Sequence, residues 1–277
     1  MSSRTTMVIT GASDGIGAVT ARALAGPDID MVVVGRSADK LEAITADTGA
    51  TGLTADFSRF DDVRDLAKQV HSRFGHIDLL LNNAGGTFDA ETRTEDGHEP
   101  HFQINHLAPF LLTNLLREQL AAADRGALVL NTSSIGNLIG RVDLSDLDRQ
   151  RGRGSNTFAY GTSKLMNIMF TRGIAQRWTD DKIYSAAVHP GAVATSFGRG
   201  SWVFGLYYRT PLRHLGTITP EQGAEPLITL ARRGADPEIN GVYFHRHRAR
   251  GLENPQARHH DVIDGLWSAS AELVGLT

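Results

Sequence analysis

The sequence contains no cysteine. Disulfides, cysteine-ligated zinc and thiol catalysis are thereby excluded, and a reducing compartment fits. A dominant charge is missing too: the net charge of −3 offers no general attraction to nucleic acid or to an anionic membrane surface. No apolar run approaches the ~18 residues of a membrane-spanning helix. The opening "MSSRTTMVITGAS" lacks a basic segment leading into a long apolar one, so no secretory signal is read and a cytoplasmic location is expected. Repeats and low-complexity tracts are likewise absent. What remains is an ordinary soluble composition of 277 residues, 41% hydrophobic and 21% charged. A chain of this length can bury roughly three quarters of its unfolded surface.

The apolar residues come in short runs that alternate with helical patterns. "TTMVIT", "IDMVVVG", "GLTAD", "IDLLLNNAG", "GALVLNTSS", "IYSAAVHPG" and "NGVYFH" predict about seven strands. Between them lie segments such as "SADKLEAITADTG", with Ser37 as N-cap and Gly49 as stop. Near-continuous apolar strands separated by helices predict a parallel sheet covered on both faces: one doubly wound α/β Rossmann domain spanning 1–277. Two segments break the rhythm, a polar, glycine-containing loop at 136–156 and an aromatic-rich stretch at 197–219.

"TGASDGIG" follows the first strand and opens the first helix. Gly11 permits the tight turn, Gly15 lets the backbone approach a pyrophosphate, and Gly17 lets the helix lie close on the sheet. The helix N-terminus offers free N–H groups to phosphates, so Ser13, Asp14 and Ile16 join the glycines in the cofactor set. The second strand ends in Gly35 and Arg36, where an NAD-binding domain carries an acid. An arginine fork suits a 2′-phosphate and cannot accept from a ribose hydroxyl, which favours NADP(H) over NAD(H).

"AYGTSKLM" places a phenol, Tyr160, and an ammonium, Lys164, on one helical face. Alone, the pair reads as a partly buried tyrosine beside a snorkelling lysine. Together with "TGASDGIG", Asp56, "NNAG" (82–85), Asn105, the "TSS" ending at Ser134 and "PGAVAT" (190–195), it resembles the short-chain dehydrogenase/reductase family over essentially the full length. "FQINHLAPFLLTNLL", "AYGTSKLMNIMFT" and "LWSASAELVGL" look like that family's retinol dehydrogenase and WW-domain oxidoreductase branch.

The resemblance implies roles at the matching positions. Asp56 contacts adenine; Asn82, Ala84 and Gly85 line the cofactor; Pro190, Gly191, Val193 and Thr195 border the nicotinamide. Asn105 holds a helix kink and a relay water, and Ser134, rather than Ser133, binds the substrate oxygen. Tyr160 is the general acid/base, and Lys164 both binds the nicotinamide ribose and tunes the phenol. A cation ~5 Å away at an effective dielectric near 20 contributes about 3 kcal/mol, or roughly two pKa units downward. A homodimer or homotetramer built through the Tyr160 helix is also implied, although segment 136–156 stands where it could obstruct that packing.

The expected activity is NADP(H)-dependent interconversion of an alcohol and a ketone or aldehyde, with a small-molecule partner and no nucleic acid. Two alternatives stay open: a cofactor-binding regulatory or scaffold protein without turnover, and a reductase of imines or activated alkenes. No metal is expected, because "HRHR" (245–248) and "HH" (259–260) lack supporting ligands. Trp202, Phe204, Leu206, Tyr207 and Tyr208, punctuated by Arg199, Arg209 and Arg213, predict a substrate lid over a lipophilic carbonyl compound.

Overall fold

The computed structural model describes residues 4–150, 155–192 and 218–276. Val193, Thr195, residues 197–217 of the aromatic stretch assigned to a lid, and 151–154 of the polar loop lie outside the described residues.

The first half of the chain alternates β1 (Thr5–Thr10), α1 (Gly15–Leu24), β2 (Ile29–Gly35), α2 (Ala38–Thr48), β3 (Thr51–Thr54), α3 (Phe60–His71) and β4 (Leu79–Asn82). Next come a short α4 (Pro100–Phe102), a π-turn at Gln103–Leu107, α5 (Ala108–Leu115), α6 (Arg117–Ala121) and β5 (Ala127–Thr132). The long α7 (Asn156–Arg177), β6 (Ile183–His189), α8 (Pro220–Arg233), β7 (Val242–His245), β8 (Arg248–Ala249) and α9 (His260–Leu273) complete the order.

The strands form one sheet in the order β3-β2-β1-β4-β5-β6-β7-β8. The first seven pair in parallel and β8 turns back antiparallel on β7. Adjacent residues of each central strand feed opposite faces, as the pleat requires. Val8, Val32, Leu80 and Val129 pack with Leu66, Leu112 and Phe170 on one side. Ile9, Val33, Leu81 and Leu130 pack with Ala21, Leu41 and Leu227 on the other. Burial on both faces is why these strands read as unbroken apolar runs.

The strand order reverses between β1 and β4, and every parallel strand ends at the same edge. That topology opens a crevice at the carboxyl ends of the strands. Each loop there is anchored locally. Asp14 caps α1 by accepting from the Gly15 N–H, and Ser37 caps α2 by accepting from the Lys40 N–H. Ser155 caps α7 through the Phe158 N–H.

Candidate active site

A cleft of about 610 Å³ runs along this edge. Gly11, Ser13, Asp14, Gly15, Ile16, Arg36 and Asp56 line one end, and Ser134, Tyr160, Lys164, Pro190 and Gly191 line the other. Ala84 and Gly85 lie between them.

The glycine turn is built for close approach. Gly11 has φ +65°, and a Cβ there would fall 2.8 Å from the Ala84 Cα. A Cβ on Gly17 would sit 2.2 Å from the Gly11 carbonyl oxygen, so no side chain fits between helix and turn. Thr10 joins this turn to the next strand end: its Oγ1 accepts from the N–H groups of Asn83 and Ala84, both at 3.0 Å. Asn83 Nδ2 donates back to the Thr10 and Gly11 carbonyls at 3.1 and 3.2 Å.

Asn83, not Asn82, therefore faces the cleft. Asn82 corrects the sequence reading: it is 5% exposed inside the sheet, donating to Thr113 Oγ1 and Asn131 Oδ1 at 3.0 and 2.9 Å. Neighbouring strand residues point to opposite faces, and residue types alone do not decide which of two asparagines is the inward one.

At the far end of β2, Gly35 leaves room for Ser13, whose Oγ lies 2.7 Å from where a Cβ would stand. Arg36 is exposed and lines the cleft with Ser37 and Lys40. Lys40 was not singled out from sequence, although a second cation four residues after Arg36 was the available signal. It pairs with Asp14 at 2.7 Å across the cleft end. Asp56 faces the same end, with Oδ1 accepting from the Ser58 N–H and Oγ at 2.9 and 2.8 Å.

The two candidate serines separate cleanly. Ser133 is buried and donates to the Lys164 carbonyl at 2.7 Å. Ser134 is hydrogen-bonded to Tyr160, and both flank Gly136, where a Cβ would meet Tyr160 Cε1 at 3.3 Å and Ser134 Oγ at 3.5 Å. Asn137, missed from sequence, is fully buried behind Ser134. Its Nδ2 donates to the Ser134 carbonyl at 2.8 Å and to the Tyr243 hydroxyl at 3.2 Å, and its Oδ1 accepts from the Asn254 N–H at 2.8 Å.

Asn105 sits in the π-turn, the kink expected of it. Its Oδ1 accepts from the Gly86 N–H at 2.8 Å, and its Nδ2 donates to the Gly86 carbonyl and to Ser163 Oγ, both at 3.0 Å. The side chain is spent on holding the turn after β4 and does not line the cleft. Behind that turn lies a fully buried pair, also missed: His101 Nδ1 bonds Glu99 Oε1 at 2.6 Å, while Nε2 accepts from the Phe88 N–H at 2.9 Å. It anchors Phe88, which lines the cleft.

Lys164 is 2% exposed, with Nζ donating to the Thr132 carbonyl at 3.2 Å and lying 5.6 Å from the Tyr160 ring centroid. Burial pushes its ammonium down to about 8. Burial likewise pushes the Tyr160 phenol up to about 12, with the Ser134 hydrogen bond pulling the other way. The phenol is thus shifted upward, opposite to the downward shift expected from Lys164, and burial is the main cause. His189, also lining the cleft, is pushed down to about 4 by burial, with the charges of His245 and Arg246 adding to the effect.

Comparison with known proteins places this geometry. Residues 5–202 match the family model described as short chain dehydrogenase. The chain belongs to the short-chain dehydrogenase family. Among its relatives is a Streptomyces sp. (strain C5) protein described as a daunorubicin C-13 ketoreductase, 39% identical and covering 98% of this chain and 93% of the relative. Human retinol dehydrogenase 13 is 32% identical, covering 98% of this chain and 85% of the relative. A crystal structure of an uncharacterized protein from Mycobacterium paratuberculosis is 28% identical, with a TM-score of 0.77 and coverage of 99% of this chain and 94% of that one. As a member of this family the chain is an oxidoreductase of the alcohol–ketone class, served by a nicotinamide cofactor. No helix among the described residues is long and apolar enough to cross a membrane.

Proposed function

We propose that the protein is an NADP(H)-dependent reductase of a ketone or aldehyde, with Tyr160 as proton donor. The observation that carries this reading is the cleft itself, with Ser134, Tyr160 and Lys164 at one end and Arg36, Ser37 and Lys40 at the other. The residues present fit a phosphorylated dinucleotide. Gly11, Ser13, Gly15 and Ile16 line the cleft where α1 begins, and two cations with a helix N-cap hydroxyl face the end where a 2′-phosphate would lie. Bound there, the nicotinamide supplies the hydride.

The chain's own residues handle the oxygen. Ser134 donates a hydrogen bond to the carbonyl, orienting it and stabilising developing negative charge. Tyr160, held as a neutral phenol by a pKa near 12, delivers the proton that this charge requires. Lys164, buried beneath the tyrosine, provides a cation that favours the phenolate left behind, and its Nζ faces the ribose side of the cleft beside Gly85. Asn137 and Asn105 position the Ser134 loop and the Gly85–Gly86 turn.

Phe88, Ile104 and Ile135 also line the cleft and favour an apolar substrate body. The relatives named for retinol and for a ketone of daunorubicin support a bulky substrate. A panel of ketones and aldehydes followed by NADPH absorbance tests the reading. Turnover that rises with apolar size is expected, and NADPH binding without turnover of any member would favour a non-catalytic role instead.

A further inference from the structure

The basic segment after β6's neighbour strand has no part in this chemistry. His245, Arg246, His247, Arg248 and Arg250 put five basic side chains into six residues where β7 turns into β8. Arg246 stands at the centre. Its N–H donates to the His189 carbonyl at 2.8 Å, fastening the hairpin to the end of β6. Its Cδ lies 3.8 Å from the position a Cβ would take on Gly191. His189 and Gly191 are both walls of the cleft, at the end that holds Tyr160.

Two features of Arg246 are hard to explain as packing. The side chain is half-buried, and its Nε is enclosed with no hydrogen-bond partner. An enclosed guanidinium nitrogen without a partner is costly, because its desolvation is not compensated. The backbone φ of +54° is the one a two-residue hairpin turn requires, with His245 paired to Arg248 across it. No carboxylate is placed to neutralise it among the described residues: Glu225, on α8, lies instead 3.9 Å from His247. Residues 1–3, 151–154 and 193–217 contain no aspartate or glutamate either, so an internal side-chain counter-anion cannot come from them. An enclosed, unpaired nitrogen on a cation fastened behind the cleft residues His189 and Gly191 is what an anionic ligand would satisfy.

We propose that Arg246 anchors an anionic group, a carboxylate or phosphate, at the distal end of the substrate. A guanidinium fork matches either oxyanion in a bidentate fashion. The dinucleotide's own phosphates are a poor alternative. The glycine turn follows β1, and β7 lies four strands away, roughly 19 Å at ~4.8 Å per strand. Ser134 follows β5, only two strands from β7, so carbonyl and anion would be separated by roughly 10 Å. The substrate class is therefore an apolar oxo-acid or oxo-phosphate whose charge lies several carbons from the ketone. This rests on the reductase reading above.

The test uses (ω−1)-oxodecanoate and its methyl ester as a matched pair, with kcat/KM measured under saturating NADPH. The intact enzyme should prefer the acid by about ten-fold or more, the scale of one charged hydrogen bond. Arg246→Gln should abolish that preference while leaving ester turnover and NADPH affinity unchanged. Arg246→Asn, suited to the left-handed backbone, repeats the comparison if the glutamine variant folds poorly. A ratio near one in the intact enzyme, or a ratio retained in the variants, would overturn the proposal. So would a loss of NADPH affinity in place of the preference, which would assign Arg246 to the dinucleotide. Turnover of neither compound would count against the reductase reading alone. Calorimetric titration with decanoate then decides for Arg246: binding lost in the variants supports the anchor, and equal binding overturns it.

Discussion

Tyr160 and Lys164 are shifted in opposite directions by the same cause, and the shifts make opposite demands on the protein. Lys164 titrates at about 8 against an ordinary 10.5, so between those values the folded chain binds fewer protons than the unfolded one. Burying the ammonium therefore costs stability in full below about pH 8, and the cost fades as pH rises toward 10.5. Lys164→Met should consequently stabilise the fold by about 2 kcal/mol at neutral pH, after allowing for the lost bond to the Thr132 carbonyl. Urea titrations at a series of pH values should show the gain shrinking above pH 8, and a gain independent of pH would contradict the assignment. Activity should fall in the same variant, a trade of stability for function. At this scale the sequence left neighbouring pairs undecided. Asn82 against Asn83 turns on which residue ends the strand facing inward, and the Tyr160 shift depends on desolvation that no spacing rule contains.

Strands were legible because burial on both faces writes continuous β-branched and leucine runs, and helices because Ser37, Gly49 and their kind mark the ends. The kink at Gln103–Leu107 was legible only through the family resemblance at Asn105, since the bonds Asn105 makes there reach Gly86 and Ser163, far away in the chain. The two-residue β8 also escaped notice, being too short to carry a pattern. Segment 136–156 read as an excursion, yet its first turn, Ile135–Ile139, is structural: Asn137 ties Ser134 to Tyr243 on β7 and to the loop before α9. Asn137→Ala would leave the Asn254 N–H and the Tyr243 hydroxyl without this partner, while the Ser134 carbonyl would keep only the Asn137 backbone N–H. It should cost about 2–3 kcal/mol in a denaturant titration, the penalty for unsatisfied buried groups. A loss well under 1 kcal/mol would mean that water replaces the amide.

The whole molecule places two chemistries at opposite ends of one cleft, because strands that share a direction must also share an edge. The proposed function assigns cofactor choice to the β2 end. Arg36→Ala should weaken NADPH by about 1.5–3 kcal/mol and leave NADH nearly unchanged, as read by cofactor fluorescence titration. Lys40→Ala should act in the same direction but less, since Lys40 already pairs with Asp14. Equal weakening of both cofactors would make Arg36 structural. The proposed function assigns catalysis to the β5–β6 end, and its central claim is that the Tyr160 hydroxyl delivers the proton. Steady-state NADPH oxidation with one accepted ketone, compared between the intact enzyme and Tyr160→Phe, tests it most directly. The account predicts kcat lower by ~10²-fold or more with NADPH affinity unchanged, and near-equal turnover by the two proteins would contradict it.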